Sequence, residues 1–172
     1  MKRIIVPFVL LVAVLSLNAC NKNKEKEVIG FKPIYTSVET IERIEINEDE
    51  PLEMPGKIYV YENYLLVNDQ SKGIHIFDNS NPSAPVKLSF IGIPGNMDFS
   101  VRNNILYADN ISDMVLFDIS QPSAPIYKNR IKSVFPTQLF PDQAGQFECV
   151  DPSKGVVLRW EKVVLTNPGC SK

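Results

Sequence analysis

Between residues 56 and 136 the sequence states nearly the same pattern twice. Asn63-Tyr64-Leu65-Leu66-Val67-Asn68-Asp69 matches Asn103-Asn104-Ile105-Leu106-Tyr107-Ala108-Asp109 at an offset of 40 residues. The same offset aligns Ile74-His75-Ile76-Phe77-Asp78-Asn79-Ser80-Asn81-Pro82-Ser83-Ala84-Pro85 with Met114-Val115-Leu116-Phe117-Asp118-Ile119-Ser120-Gln121-Pro122-Ser123-Ala124-Pro125. Pro55-Gly56 and Pro94-Gly95 open the two units 39 residues apart, which implies one inserted residue near the second unit's first strand. Such a repeat constrains the fold strongly, because a single unit of this size cannot bury its own apolar face and must stack on a neighbour.

Each unit contains four short apolar runs separated by turn residues. The first has 58–61, 64–67, 74–77 and 86–91, and the second has 98–101, 105–108, 114–117 and 126–131. Four strands in about 40 residues is the size of one propeller blade. The middle runs lack clean alternation, as strands do when both faces are covered. The expected architecture is all-β, a β-propeller-like array of two recognisable four-stranded blades, with repeats at about 56–94 and 95–136 inside a β-repeat domain at 32–172. A small β-sandwich built from the same hairpins is the alternative. A closed propeller has typically about four to eight blades, so two are too few. Degenerate flanking hairpins could complete the array: 41–46 is strand-like, and 145–150 with 156–165 reads as a C-terminal hairpin at 145–165. Otherwise the array is open and capped, associates with itself as a homo-oligomer, or is a shortened form of a longer repeat protein.

The two units resemble LVIVD repeats, whose signature is an apolar strand ending in Asp and followed by a Ser and Pro turn. Here 74–78 and 114–118 occupy the strand position, with Asn79-Ser80-Asn81-Pro82 and Ile119-Ser120-Gln121-Pro122 as turns. His75 and the two Phe residues depart from the signature. The resemblance implies a bacterial, often envelope-associated, propeller-like protein without an established chemistry.

The first twenty residues read as an address. Lys2 and Arg3 precede an apolar stretch at 4–17, too short to span a bilayer and typical of a secretory signal. Leu17-Asn18-Ala19-Cys20 resembles the bacterial lipobox, which implies cleavage after a signal peptide at 1–19 and lipidation of Cys20. Plain cleavage nearby, releasing an unmodified protein, is the alternative. Residues 20–31, rich in Lys, Glu and Asn, read as a flexible lipidated tether. The expected location is therefore the bacterial cell envelope, with the lipid anchored in the outer membrane.

Cys149 and Cys170 then remain as an even pair in an exported chain, and a disulfide is the natural expectation, with two isolated thiols as the alternative. The full chain has 18 basic and 20 acidic side chains, which argues against nucleic acid as a partner. One His, no clustered Cys and no spaced acidic loop argue against a transition-metal or EF-hand site, and nothing points to a cofactor. His75 has Val115 as its repeat counterpart, which favours packing within a strand. Asp78 and Asp118 each precede a Ser and Pro turn, so Asp78, Ser80, Pro82, Asp118, Ser120 and Pro122 are assigned to turn structure rather than catalysis. The acidic stretch at 45–53 reads as a solvated connection, and Trp160, in an alternating run, as a packed aromatic. Arg102 and the 92–96 segment are not explained by the repeat and are better places to look for function. No catalytic residue is assigned. The expected role is recognition or scaffolding of an envelope protein or glycan. The rival is a hydrolase or lyase using loop carboxylates such as Asp113 or Asp142.

Overall fold

The computed structural model describes residues 25–47 and 50–172, and the expected signal peptide at 1–19, Cys20 and residues 21–24 of the expected tether lie outside them. The described chain is mostly β, with strands β1 (Glu27–Thr36), β2 (Glu45–Asn47), β3 (Pro55–Tyr61), β4 (Tyr64–Asp69), β5 (Gly73–Asp78), β6 (Val86–Gly92) and β7 (Phe99–Arg102). They are followed by β8 (Ile105–Asn110), β9 (Asp113–Asp118), β10 (Ile126–Ile131), β11 (Gln146–Phe147), β12 (Val156–Thr166) and β13 (Cys170–Ser171). A single turn of helix, α1 (Val38–Glu42), follows β1, capped by the Ser37 hydroxyl accepting from the Thr40 N–H.

Three sheets form. The first repeat is the antiparallel meander β3 to β6, with β2 added as a fifth strand beside β6, and the second is the antiparallel meander β7 to β10. The third sheet has the order β12-β1-β11-β13 and joins the two ends of the described chain. Leu66, Ile74, Ile76 and Ile91 of the first sheet share one buried cluster with Leu106, Ala108, Val115 and Phe117 of the second. Stacking on a neighbour, as the repeat demands, thus supplies the main core.

Strand pairing shows how the two units meet. In the first, Leu65 lies opposite Phe77 and Val67 opposite His75; in the second, Leu106 lies opposite Phe117 and Ala108 opposite Val115. The β5/β6 and β9/β10 pairs agree with the 40-residue offset, down to a bulge at the same place in each. The β3/β4 and β7/β8 pairs instead correspond at an offset of 41, one residue away from the alignment that identical letters suggest. The difference is absorbed at the next turn, where Gln70-Ser71-Lys72 in the first unit is replaced by Ile111-Ser112 in the second. A one-residue slip moves every side chain to the other face. Leu66 and Leu106, aligned by sequence, therefore occupy opposite faces of equivalent sheets, and those opposite faces meet in the core. The hairpin turns follow the same shift: Asn103 and Asn104 both have positive φ, 52° and 59°, as a tight turn matching strand twist needs.

The flanks differ from the sequence expectation. Residue 41 lies in α1 rather than in a 41–46 strand, because the Ser37 cap starts a helical turn that buries Ile41. The 145–165 segment is not a hairpin: β1 inserts between β12 and β11, pairing antiparallel with β12 over ten residues and in parallel with β11 at Phe31 and Phe147. Residues 27–31 of the expected tether belong to that strand, since β1 completes a sheet the C-terminal segments cannot form alone.

Candidate functional site

The carboxylates singled out by the repeat are engaged by backbone. Asp78 Oδ1 accepts from the Ser80 N–H at 2.8 Å, and Asp118 Oδ1 accepts from the Ser120 N–H at 3.0 Å and its hydroxyl at 2.7 Å. The Ser80 and Ser120 groups hold both carboxyls below the usual carboxylate range. Pro82 is exposed, whereas Pro122 is buried and its carbonyl accepts from the Ser89 hydroxyl at 2.6 Å, so this turn also ties the two sheets together. Asp151 and Ser153 form a third turn of the same kind outside the repeats, with Oδ1 accepting from the Ser153 N–H at 3.0 Å.

Asp69 and Asp109 clamp the chain entering each repeat sheet, from opposite faces. Asp69 accepts from Met54 N–H at 2.8 Å and Glu53 N–H at 3.1 Å. Asp109 Oδ1 accepts from Met97 N–H at 2.8 Å, Asp98 N–H at 3.0 Å and the Asn96 side-chain amide at 2.6 Å. Because of the register slip, the counterpart of Asp109 is Asn68, and buried Asn96 joins the two: the Asn68 amide donates to Asn96 Oδ1 at 2.6 Å. Burial pushes the Asp109 carboxyl above its ordinary value despite these hydrogen bonds. The 92–96 segment, which repetition left unexplained, thus contains the residue that locks the two repeats to each other. Arg102 lies exposed at the end of β7, and the described structure assigns it nothing.

His75 is fully buried on the face of the first sheet that points away from the second. It packs against Phe90, with ring centroids 4.5 Å apart, and neither ring nitrogen has a hydrogen-bond partner. Its Nε2 is 3.6 Å from Asp69 Oδ2, beyond hydrogen-bond distance. Desolvation lowers its pKa, aided by Lys87 and opposed by Asp69 and Glu50, so the ring is held neutral. In the acidic stretch, Glu50 and Glu53 pair with Lys72 at 3.5 and 2.9 Å.

The two carboxylates considered for hydrolysis are separated in role. Burial opposes ionisation of Asp113, but the Ser133 N–H at 2.9 Å and Arg130 at 3.0 Å outweigh it and hold the carboxyl low. That is a poor setting for a general acid. Arg130 also reaches the Asn110 side chain and the Ile41 carbonyl, tying α1 to the second sheet. Asp142 accepts from the Gln138 side chain in a different segment of the surface.

Asp142 and Gln138 belong to residues 133–145, which run as a strap between the second and third sheets. The strap is held by Ser133 on Asp113 and by the Lys172 ammonium donating to the Pro141 and Asp142 carbonyls, both at 3.1 Å. It bounds a cleft of ≈ 610 Å³ whose walls include Met97, Asp109, Gln138, Phe140, Arg159 and Trp160. Trp160 sits edge-on to Phe147 at 5.5 Å, and its indole Nε1 is buried without a partner. It is therefore both a packed aromatic and a wall of this cleft. Sequence reasoning missed the strap; the signal available was a set of apolar residues (Phe135, Leu139, Phe140) adjoining Pro136 and Pro141 that no strand pattern accounts for.

Cys149 and Cys170 form a disulfide, with Cα atoms 5.3 Å apart, where β13 pairs with β11. Among the described residues no group of three or more His, Cys, Asp or Glu side chains is arranged to hold a metal ion.

The LVIVD repeat family matches residues 55–90 and 96–132, so the chain carries two LVIVD repeats and each coincides with one of the two stacked sheets. No curated protein and no solved structure matches the chain.

Proposed function

We propose that this LVIVD-repeat chain is a lipoprotein of the bacterial cell envelope, anchored in the outer membrane through Cys20, and that it is a non-catalytic recognition or scaffolding module for an envelope protein or glycan. The observation that carries the non-catalytic reading is the use of the recurring carboxylates. Asp69, Asp78, Asp109 and Asp118 each accept hydrogen bonds from backbone N–H groups that begin strands or turns. Carboxylates held by the backbone at recurring positions organise a rigid surface, which is the use that both repeats share. The anchor rests on the signal-like run and Leu17-Asn18-Ala19-Cys20. A disulfide between Cys149 and Cys170 is in keeping with an oxidising compartment.

Metabolic labelling with a fatty-acid analogue, followed by membrane fractionation, tests the anchor. Label should enter the wild-type chain, be lost in Cys20→Ala, and follow the outer-membrane fraction. A wild-type chain recovered unlabelled from the soluble periplasm would refute the reading.

A further inference from the structure

The cleft beneath the strap combines an available acceptor, a side-chain amide and apolar walls. We infer that it binds a neutral, hydroxyl-rich carbohydrate chain, packing the sugar faces on Trp160 and Met97 and hydrogen-bonding their hydroxyls to Asp109 and Gln138. The inference rests on the recognition reading above and gives it a location and a ligand class.

A volume of ≈ 610 Å³ lies within the range of about 300–1,000 Å³ usual for small-molecule sites. In the cleft lining, all three hydrogen bonds to the Asp109 carboxylate end on Oδ1, which leaves Oδ2 available on a side chain the backbone holds rigid. Such a fixed acceptor is preorganised for a ligand hydroxyl.

The remaining chemistry selects the class. The charged residues of the lining are Asp109, Asp142 and Arg159, with Arg159 also paired to Glu161 at 2.6 Å, so neither a polyanion nor a polycation is matched by a large excess of opposite charge. The Gln138 amide both donates and accepts, as a sugar hydroxyl does. A pyranose ring presents apolar C–H faces and a polar rim, and the lining likewise combines apolar and aromatic side chains with a few polar ones. A peptide would instead add to the free edge of β12 through main-chain hydrogen bonds, which would leave Asp109 Oδ2 unmet.

Trp160 is the single tryptophan of the chain, so intrinsic fluorescence reports on the cleft directly. The full chain, extracted from envelopes in a zwitterionic detergent that carries no sugar, would be titrated with neutral hexasaccharides of glucose, galactose, mannose and N-acetylglucosamine. A sulfated polysaccharide and an extended peptide serve as comparisons. At least one neutral hexasaccharide should give a saturable change in Trp160 emission. By calorimetry, Trp160→Phe, which keeps a ring against Phe147, should weaken that binding about tenfold, and Gln138→Ala, on the exposed strap, about threefold. Both variants should retain the wild-type circular dichroism. Silence toward every neutral hexasaccharide, a response to the peptide or polyanion alone, or affinities unchanged in both variants would overturn the inference. Silence combined with Cys20-dependent lipid labelling would remove the carbohydrate cleft and leave the envelope reading standing.

Discussion

Replacing His75 by Val, the residue at the equivalent place in the second repeat, should remove most of the acid sensitivity of the fold between pH 6.5 and 4.5. His75 is fully buried, its nitrogens have no hydrogen-bond partner, and its pKa is lowered from an ordinary 6.5 by desolvation first and by Lys87 second, against Asp69 and Glu50. The unfolded chain therefore takes up a proton below pH 6.5 that the folded chain resists. The stabilisation from the neutral ring is complete above the unfolded pKa and is lost as pH falls toward the folded value. At pH 5.5 the loss reaches as much as about 1.4 kcal/mol, and at pH 4.5 as much as about 2.7 kcal/mol. The aspartates with lowered values, Asp78, Asp98, Asp113, Asp118 and Asp151, act mainly below their ordinary 3.8, and exposed Glu39, lowered from 4.5, enters only at the bottom of this window. Asp109, raised by burial, acts with the opposite sign, contributing stability at low pH that is lost as pH rises through its folded value. Urea unfolding followed by circular dichroism at pH 7.5, 6.5, 5.5 and 4.5 measures the effect. Wild type should lose stability across the series while His75→Val stays nearly flat, even if the smaller side chain costs about 1 kcal/mol at every pH. Parallel curves for the two proteins would refute the argument, because they would place the acid response elsewhere.

Asp109→Ala should destabilise the chain by about 2–3 kcal/mol, since it strips three hydrogen bonds from one carboxylate oxygen at a partly buried junction. Asp118→Ala, at an exposed turn, should shift the urea midpoint much less, and equal shifts would contradict the assigned roles. Arg130→Ala should cost about 2 kcal/mol by leaving Asp113 and Asn110 without their cation and releasing α1, and Asp113→Asn should recover part of that loss; a wild-type midpoint for Arg130→Ala would count against the tie. Complete reduction of the Cys149–Cys170 disulfide, which spans 21 residues, should lower stability by about 3 kcal/mol in the loop-entropy account. An unchanged melting temperature after thiol titration has verified reduction would exclude that contribution.

Much of this protein was legible locally. The turns at Asp78 and Asp118 follow from residues within two positions of each other, and the eight repeat strands lie where the apolar runs stand, differing by up to three residues at their ends. The stacking of two sheets followed from the existence of the repeat, because neither unit could bury its apolar face alone. A role for the 92–96 segment could be suspected, but its chemistry could not be read, since Asn96 meets partners 28 and 13 residues away.

What the letters alone determined was therefore short-range: turn chemistry, strand positions and the need for a stacked neighbour. Tertiary structure alone decided the one-residue register difference between the first hairpins of the repeats. It also placed Asp69 and Asp109 on opposite faces, inserted β1 between β12 and β11, and joined the strap, Trp160 and Asp109 around one cleft. The physical reason is that a turn is selected by the conformational preferences of a few adjacent residues. Register and sheet order are selected by which long-range pairing buries the most apolar surface while leaving the fewest backbone groups unpaired.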